Sequence, residues 1–132
     1  MRDGFLPIFT ILYFGPSPMI QRFDVGQRMS EMSIFNGIIH LAGQVAEDGN
    51  QDMAGQMHQV LNAIDSLLGR AGSYKGKILM AQIYLADISD FSAMNAIWDS
   101  WVVPGQTPPR ATVQAKLAKP EWKVEIVITA AL

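Results

Sequence analysis

The stretch "KVEIVITAAL", Lys123–Leu132, decides how the chain is read. Its β-branched residues predict a closing strand. One carboxylate, Glu125, interrupts it between Val124 and Ile126. A carboxylate inside an apolar strand is costly unless it is paired, hydrogen-bonded or protonated. Just upstream, "PPRATVQAKL" (108–117) predicts a further strand that opens on Arg110, and "AKPEW" (118–122) a turn. The chain therefore ends in two strands.

Working backward, "FSAMNAIWDSWV" (91–102) carries Phe91, Met94, Ile97, Trp98, Trp101 and Val102 at helical spacing, with Ser89 or Asp90 as cap and Pro104-Gly105 as stop. "KILMAQIYLAD" (77–87) reads as a central strand, apolar on both faces. Asp52 predicts the cap of a longer helix running to about Arg70, with Met53, Met57, Val60, Leu61, Ile64, Leu67 and Leu68 on one face and Gly72 as stop. Before it, "MSEMSIFNGIIHLAGQV" (29–45) holds two extended runs joined by Asn36-Gly37, a hairpin signal. A short strand at Gln21–Val25 completes the series.

The order is ββ–α–β–α–ββ. Two helices cover only one face of a five- or six-stranded sheet, so the expectation is a two-layer α+β domain. Ile39, Leu41, Tyr84, Ile126 and Ile128 are then too many apolar groups to leave wet, which points to a homo-oligomer.

At 132 residues the chain suits one domain. Hydrophobic residues at 49% and charged residues at 17% make it globular rather than disordered. The formal net charge of −2 gives no global attraction to nucleic acid or anionic membrane. Without cysteine there is no disulfide, thiolate nucleophile or Cys-based metal site, which suits a cytoplasmic protein. The apolar run Phe5–Phe14 is too short to span a bilayer and lacks signal-peptide features. Three readings of it stand: a weak anchor, a packed accessory segment, or an extension ahead of Met19 as the working start. The last is favoured, with residues 1–20 as an extension and 21–132 as the domain.

Candidate chemistry is sparse. His40 and His58 have no ligand partners at metal spacing, so no metal site is expected. "AGSYKGKI" (71–78) fails as a phosphate loop, because Ala71 stands where glycine belongs and Ile78 where Ser or Thr belongs. Two readings of Arg110 and Glu125 stay open. One is a salt bridge, either between the two or from Glu125 to Lys116 or Lys123. The other is a binding site, with Arg110 gripping a carboxylate and Glu125 positioning a water or moving a proton. Arg110, Thr112 and Gln114 share one strand face; Glu125 shares one with Val127 and Thr129. Gly43 in "LAGQVA" (41–46) marks either a bulge or a close approach of backbone to ligand.

Taken together, "NGIIHLAGQVA", "QVLNAIDSLLGRAGS", "IYLADISDFSAMNAIWDSW", "PPRATVQAKLAKP" and "KVEIVITAA" resemble the Rid family of reactive intermediate deaminases, also called YjgF, from about Arg28 to Ala131. The double-Trp form "AIWDSWV" looks closer to a less characterised branch. The resemblance implies a chorismate-mutase-like α+β fold, a mixed sheet with two helices on one face, and a homotrimer with three clefts between subunits. Founding members hydrolyse reactive enamines and imines to 2-keto acids and ammonia, without metal or cofactor. The family arginine that binds the substrate carboxylate falls on Arg110, and the glutamate that orients water on Glu125. Gly43 falls on the glycine that offers backbone contacts. Thr112 stands where cysteine is common. A cleft tyrosine of founding members is Met29 here by ungapped count.

Two functions follow as expectations. One is a 2-imino or 2-enamino acid deaminase; the other is a trimer that binds a small carboxylic acid, such as a 2-keto acid, without efficient turnover. Some family members carry an endoribonuclease label. Lys75, Lys77, Lys116, Lys119 and Lys123 around Trp122 are the residues such an activity would use, and nucleic acid is not an expected partner.

Overall fold

The computed structural model describes residues 19–132. The apolar run at 5–14 and the break at 15–18 lie outside them. Strand β1 is Gln21–Phe23, β2 Met32–Phe35 and β3 Ile38–Leu41. Asn36 and Gly37 both take positive φ, 56° and 82°, the twist that lets a two-residue loop join strands of right-handed twist. β4, Gln44–Val45, continues β3 after an interruption at Ala42-Gly43. β3 pairs His40 with Thr129, whereas β4 pairs Gln44 with Ile126, so the register slips by one residue across the gap. That slip is the bulge expected at Gly43.

Helix α1 is Met53–Arg70. The Asp52 side chain accepts from the Gly55 N–H at 2.9 Å, satisfying a donor that the first turn leaves free. At the far end Gly72 adopts φ 79°, and the Ser73 N–H reaches back to the Leu68 carbonyl at 2.9 Å, a glycine stop as read. All seven apolar residues of the expected face are buried.

Helix α2 is Phe91–Trp101 and buries Met94, Trp98 and Trp101. Its N-cap position is Asp90, one of the two expected residues, but without the expected side-chain bond. A 3-10 turn over Ile88–Asp90 precedes it, and Asp87 accepts from the Ser89 N–H at 2.9 Å. Neither Ser89 nor Asp90 caps α2 with its side chain, because the tighter turn puts the first free N–H groups one turn earlier.

β5 is Ile78–Leu85, β6 Arg110–Gln114 and β7 Val124–Ala131. β5 is shorter than its apolar sequence, and a bulge between Ile78 and Met80 leaves Leu79 exposed. The strand order is β1-β2-β3-β7-β5-β6, with β4 also on β7. The β5–β6 pair is parallel and the others are antiparallel, giving a mixed α+β sheet of seven short strands.

One face carries the core. Val124, Ile126, Ile128 and Ala130 of β7 are fully buried with Ile83, Leu85 and the apolar faces of both helices. Each such branched side chain contributes about 1.5–3 kcal/mol on burial. The expectation for the uncovered face needs correction. Ile39, Leu41, Ile126 and Ile128 all point into this core; of the five residues named, only Tyr84 sits on the open face. Alternation places Glu125, Val127 and Thr129 beside it, so the open face is mixed rather than apolar.

Candidate active site

Glu125 stands on the open face of β7, with Val45 of β4 opposite it on one side and Tyr84 of β5 on the other. Its carboxylate leans over Gly43. A Cβ added at Gly43 would collide with Glu125 Oε2 and lie 2.9 Å from Cδ and 3.2 Å from Cγ. The glycine of the bulge therefore makes the space in which the carboxylate rests. Among the described residues no lysine or arginine pairs with Glu125, so the salt-bridge reading, through Arg110, Lys116 or Lys123, fails.

Arg110 opens β6 directly after Pro108-Pro109, whose last carbonyl accepts from the Ala81 N–H at 3.1 Å. It pairs with Ala81, on the helix side of the sheet. Its Nη1 donates to Asn95 Oδ1 at 2.8 Å, and its Cζ lies 5.4 Å from the centre of the Trp98 ring and 5.8 Å from that of Phe91. Two π faces and one carbonyl thus hold a cation while Nε and Nη2 keep no partner among the described residues. Asn95 was missed by the sequence reading. The signal was present, since positions 91, 95 and 98 share a face of α2.

The two principal candidates are not brought together. β5 separates β6 from β7, and Arg110 aligns with Ala81, which aligns with Ile128, three residues from Glu125. Strand spacing and rise put their Cα atoms about 14 Å apart. Their side chains leave opposite faces of the sheet.

Thr112 sits on the Arg110 side, beside buried Ile83, and its Oγ1 is buried without a hydrogen-bond partner. Met29 lies in the loop from β1 to β2, 51% exposed, its carbonyl accepting from the Gly26 N–H at 2.8 Å. The Ala42 N–H donates to the Glu31 carbonyl at 2.8 Å, so this loop runs alongside the Gly43 bulge.

A buried amide fixes the approach to Glu125. Gln56 on α1 is fully buried; its Nε2 faces the carbonyls of Gly49, Gln51 and Glu121 at 3.0–3.1 Å, and its Oε1 accepts from the Lys123 N–H at 2.9 Å. The Trp122 indole adds a bond to the Ala46 carbonyl at 3.2 Å. The loop after β4 and the turn into β7 are thereby tied together, which holds Gly43 and Glu125 in register. A groove of about 840 Å³ between β4 and α1 reaches Gly43 but includes neither Glu125 nor Arg110 in its lining.

The five lysines do not form one patch. Lys75 packs over Trp101 and Lys119 over Trp122. Lys75 and Lys77 precede β5, whereas Lys116 and Lys123 lie at its far end, about 25 Å away along the strand. Among the described residues no three His, Asp or Glu side chains cluster as metal ligands. No helix there is long and apolar enough to cross a membrane.

The endoribonuclease L-PSP family model matches residues 19–132. A RutC family protein of Haemophilus ducreyi is 52% identical over 114 residues, covering 86% of this chain and 97% of its own. The RutC family protein YoaB of Escherichia coli is 46% identical, covering 86% and 98%. Among solved structures, NMB1025 of Neisseria meningitidis, a YjgF family member, superposes with a TM-score of 0.84 at 46% identity, covering 86% of this chain and 95% of that one. Fold and match over the whole described domain agree: the chain belongs to the endoribonuclease L-PSP family, the YjgF/Rid family.

Proposed function

We propose that the protein hydrolyses reactive 2-imino and 2-enamino acids to 2-keto acids and ammonia, in clefts between the subunits of a homotrimer. The observation that carries this reading is the pair of unspent functional groups. Among the described residues Glu125 offers an unpaired carboxylate seated against Gly43, and Arg110 an anchored guanidinium with free donors. Because the two leave opposite faces of one sheet, a site that uses both takes Arg110 from one copy and Glu125 from the next. The mixed open face is the surface left for that contact.

The chemistry follows from these roles. Arg110 holds the substrate carboxylate with paired donors. Glu125 orients a water toward C2 and takes its proton as the C–O bond forms. The C=N π pair moves to nitrogen, which is protonated. The hydroxyl proton, passed to nitrogen, then lets the carbonyl re-form as C–N breaks and ammonia leaves. Met29 brings no hydroxyl to this cleft, and Thr112 serves through its place beside Arg110.

The test couples an amino-acid oxidase, which generates the imine, to keto-acid detection. The wild type accelerates keto-acid appearance; Arg110→Ala and Glu125→Ala do not. Absence of acceleration by the wild type overturns the reading. Tight binding of 2-ketobutyrate without a rate effect would identify a small carboxylic acid-binding protein instead. The separation of the lysines speaks against an RNA-cleaving surface.

A further inference from the structure

Hydrolysis of an imine needs a base for water and an acid for nitrogen, and Glu125 alone supplies one group. Tyr84 is its direct cross-strand partner on β5. Such partners share a face, with Cα atoms about 4.5–5.5 Å apart. Tyr84 is half-buried, and its hydroxyl has no hydrogen-bond partner among the described residues. Nor is that hydroxyl sealed off, since the only buried side-chain polar atom without a partner there is Thr112 Oγ1. The Glu125 carboxylate leans the other way, toward Gly43. A small acid whose reacting carbon lies above β7 therefore has the carboxylate on one flank and the phenol on the other.

We propose that Tyr84 is a catalytic residue of this cleft, hydrogen-bonding the imine nitrogen and passing it a proton. This rests on the deaminase reading above. A phenol hydroxyl both donates and accepts, so it can relay. Water loses a proton to Glu125 as C–O forms; the phenol proton moves to nitrogen as the C=N π pair arrives there; Glu125 returns its proton to the phenolate through solvent water, and the same relay carries the hydroxyl proton to nitrogen as C–N breaks and ammonia leaves. No oxidant or external acid is required, and both side chains end as they began.

No described residue bonds the hydroxyl, so Tyr84→Phe isolates it. The coupled imine assay should show kcat lowered at least about tenfold, KM raised by no more than the roughly fivefold of one lost hydrogen bond, and melting temperature unchanged, as expected for a group that acts chiefly in the transition state. Full kcat in Tyr84→Phe, beside an active wild type, overturns the role of Tyr84 and leaves the deaminase reading standing. If the wild type does not accelerate hydrolysis, the deaminase reading falls, and the catalytic role falls with it. Calorimetry with 2-ketobutyrate then decides whether the phenol contacts ligand at all. A loss of affinity of about fivefold or more in Tyr84→Phe, one hydrogen bond's worth, keeps it in the cleft, and equal affinity removes it.

Discussion

If Arg110 and Glu125 act together from different copies, two inactive variants should repair one another. Arg110→Ala supplies a good Glu125, and Glu125→Ala supplies a good Arg110. Within one chain the two Cα atoms are about 14 Å apart and the side chains leave opposite faces, so no single copy can assemble the pair. In a cyclic trimer each cleft takes one residue from each of two neighbours. Random assortment of the variants in equal amounts makes about three-quarters of the trimers mixed, and every mixed trimer contains one intact cleft in three. The expected activity is about one quarter of wild type, from two preparations that are each inactive. The assay is unfolding and refolding of the mixture, native mass spectrometry to count mixed trimers, and the coupled imine assay. Mixed trimers without activity would refute the shared cleft, as would activity that does not scale with their abundance.

Other substitutions probe the supports of the site. Gly43→Ala drives a Cβ into the Glu125 carboxylate; overpacking should cost about 1–3 kcal/mol in denaturant unfolding, and displacement of the carboxylate should lower kcat about a hundredfold. Gln56→Met leaves the Lys123 N–H and three carbonyls without their buried partner, and urea unfolding should show a loss of about 2–4 kcal/mol. The hydrogen bond and charge of Arg70 hold the Asp24 carboxyl below its ordinary value of 3.8. A depressed carboxylate stabilises above its unfolded pKa and loses that contribution as pH falls through the folded one. The melting-temperature gap between wild type and Asp24→Asn should therefore be small and constant at neutral pH, shrink with added salt, and close as pH falls below about 4.

Much of the local structure was legible because its causes are local. Asn36-Gly37 fixes a hairpin by its left-handed backbone, Asp52 and Gly72 fix the ends of α1, and a seven-residue apolar stripe fixes its buried face. Gly43 announced an irregularity in a strand, and Glu125 announced a carboxylate needing an explanation. The α2 cap position, Asp90, was legible, but its missing side-chain bond was not, because the 3-10 turn held by Asp87 comes first.

The sequence by itself determined which residues share a strand face: Arg110 with Thr112, and Glu125 with Val127. Alternation needs nothing beyond neighbouring residues. Which face of the sheet each set occupies was decided only by tertiary structure. It depends on the parallel β5–β6 pairing, the insertion of β5 between β6 and β7, and the one-residue slip at Gly43. These are pairings between residues far apart in the chain, and each sets a parity that no local pattern encodes. They turned the apparent Arg110–Glu125 bridge into two side chains on opposite faces of the sheet, and they put Tyr84, rather than a buried isoleucine, beside the Glu125 carboxylate.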